Sequence, residues 1–350
     1  MNNFYEPQNE FENEITMSQE EIKSHKGIFS KLCFSLVIYL AVVEGCALIF
    51  SLAMKAFYPD LLKSTTVTLI MSLFIQYVIG FPVFCHIIKK IPKSPPQMSG
   101  ERLSVKKAIS TAAICLFFIY VGNYISEVIM IAIGNLMGDV PESSIDELLQ
   151  SSNIWVSLLI VGIIGPIIEE FMFRKLFIDR LTPYGQGIAV FFPALLFGLF
   201  HANLYQFFYA FMVGVIFSYI YVKTGKISYT IALHIFINVF SGVIPAAIFS
   251  KLDMEQFLEL SASGNITEEF IEANSTPLML LGLYEIVMFG LIFVGIFAFN
   301  KMTRRRSIYF EKGAVRFPKG VGLDVVLFNA GAIILIALCL FMTAFNTFAI

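Results

Sequence analysis

The stretch IWVSLLIVGIIGPIIEEFMFR, residues Ile154 to Arg174, decides how this chain is read. From Ile154 to Ile168 it carries no charge. It then runs without a break into Glu169 and Glu170 and, four positions after the second, Arg174. Such an apolar run reads as a membrane-spanning helix, and ionisable groups at that depth are expensive enough to imply a task. Two further segments place histidines in equally apolar surroundings: FGLFH, Phe197 to His201, and HIFIN, His234 to Asn238.

The rest of the 350-residue chain fits this setting. Hydrophobic residues make up 57% and charged residues 14%, and the mean hydropathy is +0.77. A soluble domain of this length would not tolerate that composition on its surface. Nothing resembles the basic face of a soluble nucleic-acid-binding domain. Cys33, Cys46, Cys85, Cys115 and Cys339 are scattered through apolar runs with no paired spacing, so they read as small hydrophobes and not as disulfides or thiolate ligands. The first 28 residues are polar and mostly acidic, with no apolar core before Ile28, which argues against a cleaved signal peptide.

Taking roughly 20 apolar residues per crossing, spans are expected at 30–58, 66–88, 108–137, 154–181, 186–203, 205–223, 227–249, 277–300 and 323–349. The fold class is therefore all-α, a polytopic transmembrane helical bundle of about nine spans, or eight if the fifth is short or broken. A polar cytoplasmic tail at 1–28 precedes a transmembrane domain at 29–350. Within that domain a core at 154–249 is flanked by spans at 30–137 and 277–349.

Loop charges set an expected orientation. Lys89, Lys90, Lys93, Arg102, Lys106 and Lys107 crowd one connection, and Lys301, Arg304, Arg305, Arg306, Lys312, Arg316 and Lys319 another; both should be cytoplasmic. Asp139, Glu142, Asp146 and Glu147 occupy one loop, and Asp253, Glu255, Glu259, Glu268, Glu269 and Glu272 another; both should face outward. A multi-pass plasma-membrane protein follows, with its amino terminus inside and its carboxyl terminus outside. The acidic segment 251–276 reads as a surface helix or an unstructured loop.

Helical spacing sorts the polar clusters. Glu170 shares a face with Arg174, while Glu169 lies about 100° away. One acid is paired and stays ionised; the other is free to act as a general base in low dielectric. His234 and Asn238 are again four apart and project together. At ~1.5 Å per residue, Glu169, His201 and His234 stand roughly 21, 27 and 14 Å from their inner turns, so convergence is permitted. Taken singly, each cluster also fits a plainer role: charges snorkelling at an interface, a packing histidine, or polar contacts between helices.

The ordered set EExxxR, FxxxH and HxxxN on three membrane helices resembles the CAAX-protease and bacteriocin-processing family of intramembrane peptidases, called CPBP or Abi and related to the CAAX prenyl endopeptidase. The match is Glu169, Glu170 and Arg174, then Phe197 and His201, then His234 and Asn238, all between Ile154 and Val243. It implies a peptide-bond hydrolase acting on a membrane protein or small peptide within a lipid bilayer, with no nucleic-acid partner. Glu169 and His201 would activate water, and His234 and Asn238 would donate to the oxyanion. The expected mechanism uses no cofactor. A zinc held by Glu169, His201 and His234 is the metal-dependent alternative, weakened by the absence of HExxH and by the poor ligand quality of Asn.

Two rivals come from other classes. A proton-coupled transporter would use Glu44, Glu127 and Glu285 as a relay, although no duplicated half is visible. A noncatalytic partner or immunity protein would act by binding alone.

Overall fold

The computed structural model describes residues 16–96, 102–137, 153–253, 256–257, 260, 263–264 and 267–348. The acids at 6–14 and 139–147, together with Glu255 and Glu259, lie outside the described residues. Nine apolar helices follow in order: α1 (Gln19–Phe57), α2 (Thr65–Ile88), α3 (Val105–Met137), α4 (Ile154–Tyr184), α5 (Gln186–Phe200), α6 (Leu204–Thr224), α7 (Ile227–Phe249), α8 (Ser275–Arg304) and α9 (Ala330–Phe348). Among the described residues there is no strand. The chain is a multi-pass, all-α membrane bundle. Eight of its helices have the length and composition to cross, and α5, at 15 residues, is the short one. Its span of about 22 Å falls below the hydrocarbon thickness of about 30 Å. The α5–α6 turn at His201–Asn203 therefore sits below the ends of the longer helices.

Two boundaries differ from the sequence expectation for identifiable reasons. Helix α1 starts at Gln19, inside the polar tail, because Ser18 and Glu21 form a capping box: the Ser18 hydroxyl accepts from the Glu21 N–H, and the Glu21 carboxylate accepts from the Ser18 N–H. The last span is interrupted. A short helix, Val321–Leu327, stops before Asn329, whose side-chain amide donates to the Val325 and Val326 carbonyls while its oxygen accepts from the Ala332 N–H. A single side chain thus closes one helix and caps the next. The acidic segment contributes a helix, Glu268–Ala273, capped by Thr267.

One face of the bundle gathers the basic ends. There His25 meets the Tyr184 hydroxyl at 3.0 Å, Lys26 pairs with Asp324 at 2.9 Å, and Lys223 pairs with Glu311 at 3.1 Å. The segment at 305–320 lies across this face as a strap. Its Glu311 carbonyl accepts from Gln186 N–H, its Val315 N–H donates to the Pro183 carbonyl, and Phe317 stacks on Tyr184. On the opposite face Asn153 meets Thr66, and Asn346 donates to the Ala202 carbonyl.

Packing follows the rule for helices in lipid, where small residues let backbones approach. A Cβ at Gly122 of α3 would collide with the Tyr209 backbone of α6, and one at Gly295 of α8 with the Ala113 backbone of α3. Below the middle of the bundle, Phe84 of α2, Phe173 and Phe177 of α4 and Phe197 and Phe200 of α5 form a buried aromatic stack.

Proline explains a repeated irregularity. The segments Phe74–Gly80, Leu158–Ile164 and Val239–Val243 are wound one residue wider than an α-helix, and Pro82, Pro166 and Pro245 follow each by two positions. Proline has no N–H and its ring crowds the preceding turn, so the ladder loosens upstream. Helices α2, α4 and α7 are the three affected, and all three line one cavity.

Candidate active site

That cavity has a volume of about 1170 Å³ and is walled by α2, α3, α4, α5, α6, α7 and α8. Glu169, Phe197, His201, His234 and Asn238 line it; Glu170 and Arg174 lie behind its wall, both fully buried. The i, i+4 pair is formed, with the Arg174 guanidinium 3.3 Å from the Glu170 carboxylate. Arg174 also reaches the Gly214 carbonyl of α6 at 3.5 Å. Its Nε has no protein hydrogen-bond partner, and the cation lies over the Phe197 ring at 4.5 Å and the Phe217 ring at 5.5 Å. In a dry surrounding such aromatic faces substitute for part of the lost hydration.

Glu170 holds a second partner that spacing could not reveal. His234 Nδ1 lies 2.9 Å from Glu170 Oε1. The ionised carboxylate accepts only, so Nδ1 donates and Nε2 is turned to the chamber side. Across from it stands Glu169, its Oε2 3.7 Å from His234 Nε2 and its side chain 28% exposed. The two neighbouring glutamates therefore face opposite nitrogens of one imidazole, and only Glu170 is within hydrogen-bond distance. The first is sealed and ion-paired; the second is open to the cavity.

His201 sits at the end of α5, where its Nδ1 is 2.8 Å from the Phe197 carbonyl one turn back. A carbonyl cannot donate, so this bond fixes the tautomer and leaves Nε2 as an acceptor in the neutral ring. The Phe197 ring meets the rings of both His201, at 4.8 Å, and His234, at 5.9 Å. The residue after His201, Ala202, has φ of 46°, in the left-handed region that costs a residue with a Cβ. No direct hydrogen bond joins His201 to Glu169 among the described residues; both line the chamber.

Asn238 is engaged with α4. Its Nδ2 donates to the Val161 carbonyl at 3.0 Å. The cause is Pro166: Gly165 N–H turns back to the Ile160 carbonyl, and the proline has no N–H to offer Val161. Asn238 supplies the missing donor, and among the described residues no further hydrogen bond engages its other amide hydrogen or its oxygen. Among the described residues no three His, Cys, Asp or Glu side chains are grouped to hold one metal ion.

Tyr77 escaped the sequence reading. A Cβ on Gly165 would lie 3.1 Å from the Tyr77 hydroxyl and 3.8 Å from Glu169 Oε1, so this hydroxyl reaches the α4 backbone beside the open carboxylate. The signal was the polar pair Gln76-Tyr77 inside an apolar run. Of the acids assigned to a transport relay, Glu127 and Glu285 line the same chamber, while Glu44 is exposed on α1 and does not.

No curated protein and no solved structure matches the chain. Residues 151–240, which hold all seven motif residues, do match a family, Rce1-like, described as Type II CAAX prenyl endopeptidase Rce1-like. Glu169, Glu170, Arg174, Phe197, His201, His234 and Asn238 all fall within the matched stretch, so the resemblance they carry is supported there: residues 151–240 are similar to the CAAX-type intramembrane proteases.

Proposed function

We propose that the chain is a glutamate-dependent intramembrane endopeptidase that hydrolyses a peptide bond of a membrane protein or small peptide. The observation that carries this reading is the division of labour between adjacent carboxylates. Glu170 is sealed against Arg174 and His234, whereas Glu169 is open to the chamber. In the proposed step a water between Glu169 and His201 gives a proton to the Glu169 carboxylate, and its oxygen attacks the scissile carbonyl. The negative charge that develops on the carbonyl oxygen is met by the free Asn238 amide hydrogen and by His234 Nε2, which donates when the ring is an imidazolium. Glu170 serves that imidazolium by holding Nδ1–H, as a buried carboxylate orients the histidine of other hydrolases. Collapse of the tetrahedral intermediate expels the amine, which takes the proton back from Glu169. No step passes through a metal.

The plasma membrane is the proposed location, with the basic face cytoplasmic. The test is a comparison of membrane peptidomes from cells carrying wild-type protein or Glu169→Gln at equal abundance. Peptides present with the first and missing with the second are expected, with His201→Ala and His234→Ala behaving as Glu169→Gln does. Identical peptidomes would transfer the assignment to binding, and proton-coupled uptake abolished by Glu127→Gln but kept in Glu169→Gln would transfer it to transport.

A further inference from the structure

The chamber is not centred between the two faces of the bundle. Its lowest lining residues on α3, α6 and α8 are Leu116, Val213 and Ile292. Each lies about 17 Å from the basic end of its helix at 1.5 Å per residue. In the other direction the lining reaches the ends of the helices. Thr68 is in the first turn of α2, Tyr205 in the first turn of α6, Ile131 in the last two turns of α3, and Phe249 closes α7. All of these ends belong to the face opposite the basic loops at 89–107 and 301–319.

The route toward the basic face is filled. Below Glu169 on α4 come Phe173, Phe177 and Leu181, each with no exposed surface, and Phe84 of α2 stacks on Phe177. Beneath them Arg180 is tied to the Ile88 and Leu176 carbonyls, and the strap at 305–320 crosses the ends of α4, α5 and α6. A peptide backbone needs a path roughly as wide as a strand, and these packed side chains occupy it where α2, α4 and α5 meet.

Resting on the hydrolytic reading above, we infer that the peptide enters from the face opposite the basic loops. With those loops cytoplasmic, the substrate class is an exported peptide or the external half of a membrane protein, not a segment presented from the cytoplasm. The shortness of α5 serves this arrangement, because it sets the His201 turn below the outer ends of its neighbours and so opens the chamber upward.

Single cysteines reactive toward a membrane-impermeant methanethiosulfonate reagent test the direction of opening, with the wild-type chain as the blank for its native thiols. Ser72→Cys and Ser241→Cys sit on the chamber wall, and Lys312→Cys sits on the strap. In intact cells, modification of either chamber cysteine is expected, while Lys312→Cys reacts only after permeabilisation. Protection of both chamber positions until the membrane is opened, or reaction of Lys312→Cys from outside, would overturn the inference. Labelling needs no turnover, so its result is independent of whether Glu169→Gln abolishes cleavage.

Discussion

At the scale of single residues, the most costly feature is the buried pair Glu170–Arg174. Two charges removed from water are tolerable only while each compensates the other, and removing one partner of such a pair costs about 3–5 kcal/mol. Arg174→Leu should therefore lower the thermal unfolding midpoint in detergent sharply and should release His234 from its fixed orientation. Glu169→Gln should unfold near the wild-type temperature, because Glu169 is partly open to the chamber and stands 3.7 Å from His234 Nε2, beyond hydrogen-bond distance. A large destabilisation in Glu169→Gln would contradict the contrast drawn between the two acids. The Glu170–Arg174 pair was legible from spacing, since i and i+4 share a helical face. The bond from His234 to Glu170 was not. It joins α7 to α4 over 64 positions of sequence, and no local rule carries information across that distance.

At the scale of elements, proline and asparagine act together. Pro166 deprives the Val161 carbonyl of a donor, and Asn238 supplies one from α7. Asn238→Ala should leave a part-buried acceptor unmet, at a cost of about 1 kcal/mol. In a Pro166→Ala background the restored N–H can serve Val161 within α4, so the loss from Asn238→Ala should shrink. A thermal-melt double-mutant cycle reads this coupling, and strict additivity would show that the bond is incidental. The strap gives a pH dependence of known sign. Lys223 and then Gln186 hold the exposed Glu311 carboxyl below the usual glutamate range. A depressed acid contributes stability above its unfolded pKa, near 4.5, and the contribution is lost as pH falls through the lower folded value. Protease cutting at 305–320 should accordingly be slow at neutral pH and rise only once the pH has fallen below the ordinary glutamate value of 4.5, with Glu311→Gln fast throughout.

At the scale of the whole molecule, the metal question becomes an experiment. Glu169, His201 and His234 share a chamber without converging on one point, so chelator treatment of the purified protein is expected to leave cleavage unchanged. Loss of turnover on chelation, reversed by stoichiometric zinc, would replace the glutamate mechanism. The sequence by itself determined that this is a multi-pass helical protein and which acid is paired with Arg174. Each of those properties is local: apolar runs long enough to cross lipid, and positions four apart on one helix. Only the tertiary structure decided that Glu170 orients His234, that Asn238 is drawn to Val161, that Tyr77 joins the site, and that the chamber lies toward the face opposite the basic loops. These depend on how α2, α3, α4, α6, α7 and α8 pack around proline-loosened turns. Contacts between helices remote in sequence follow from shape and from unmet backbone groups, and neither is written in the periodicity of one segment.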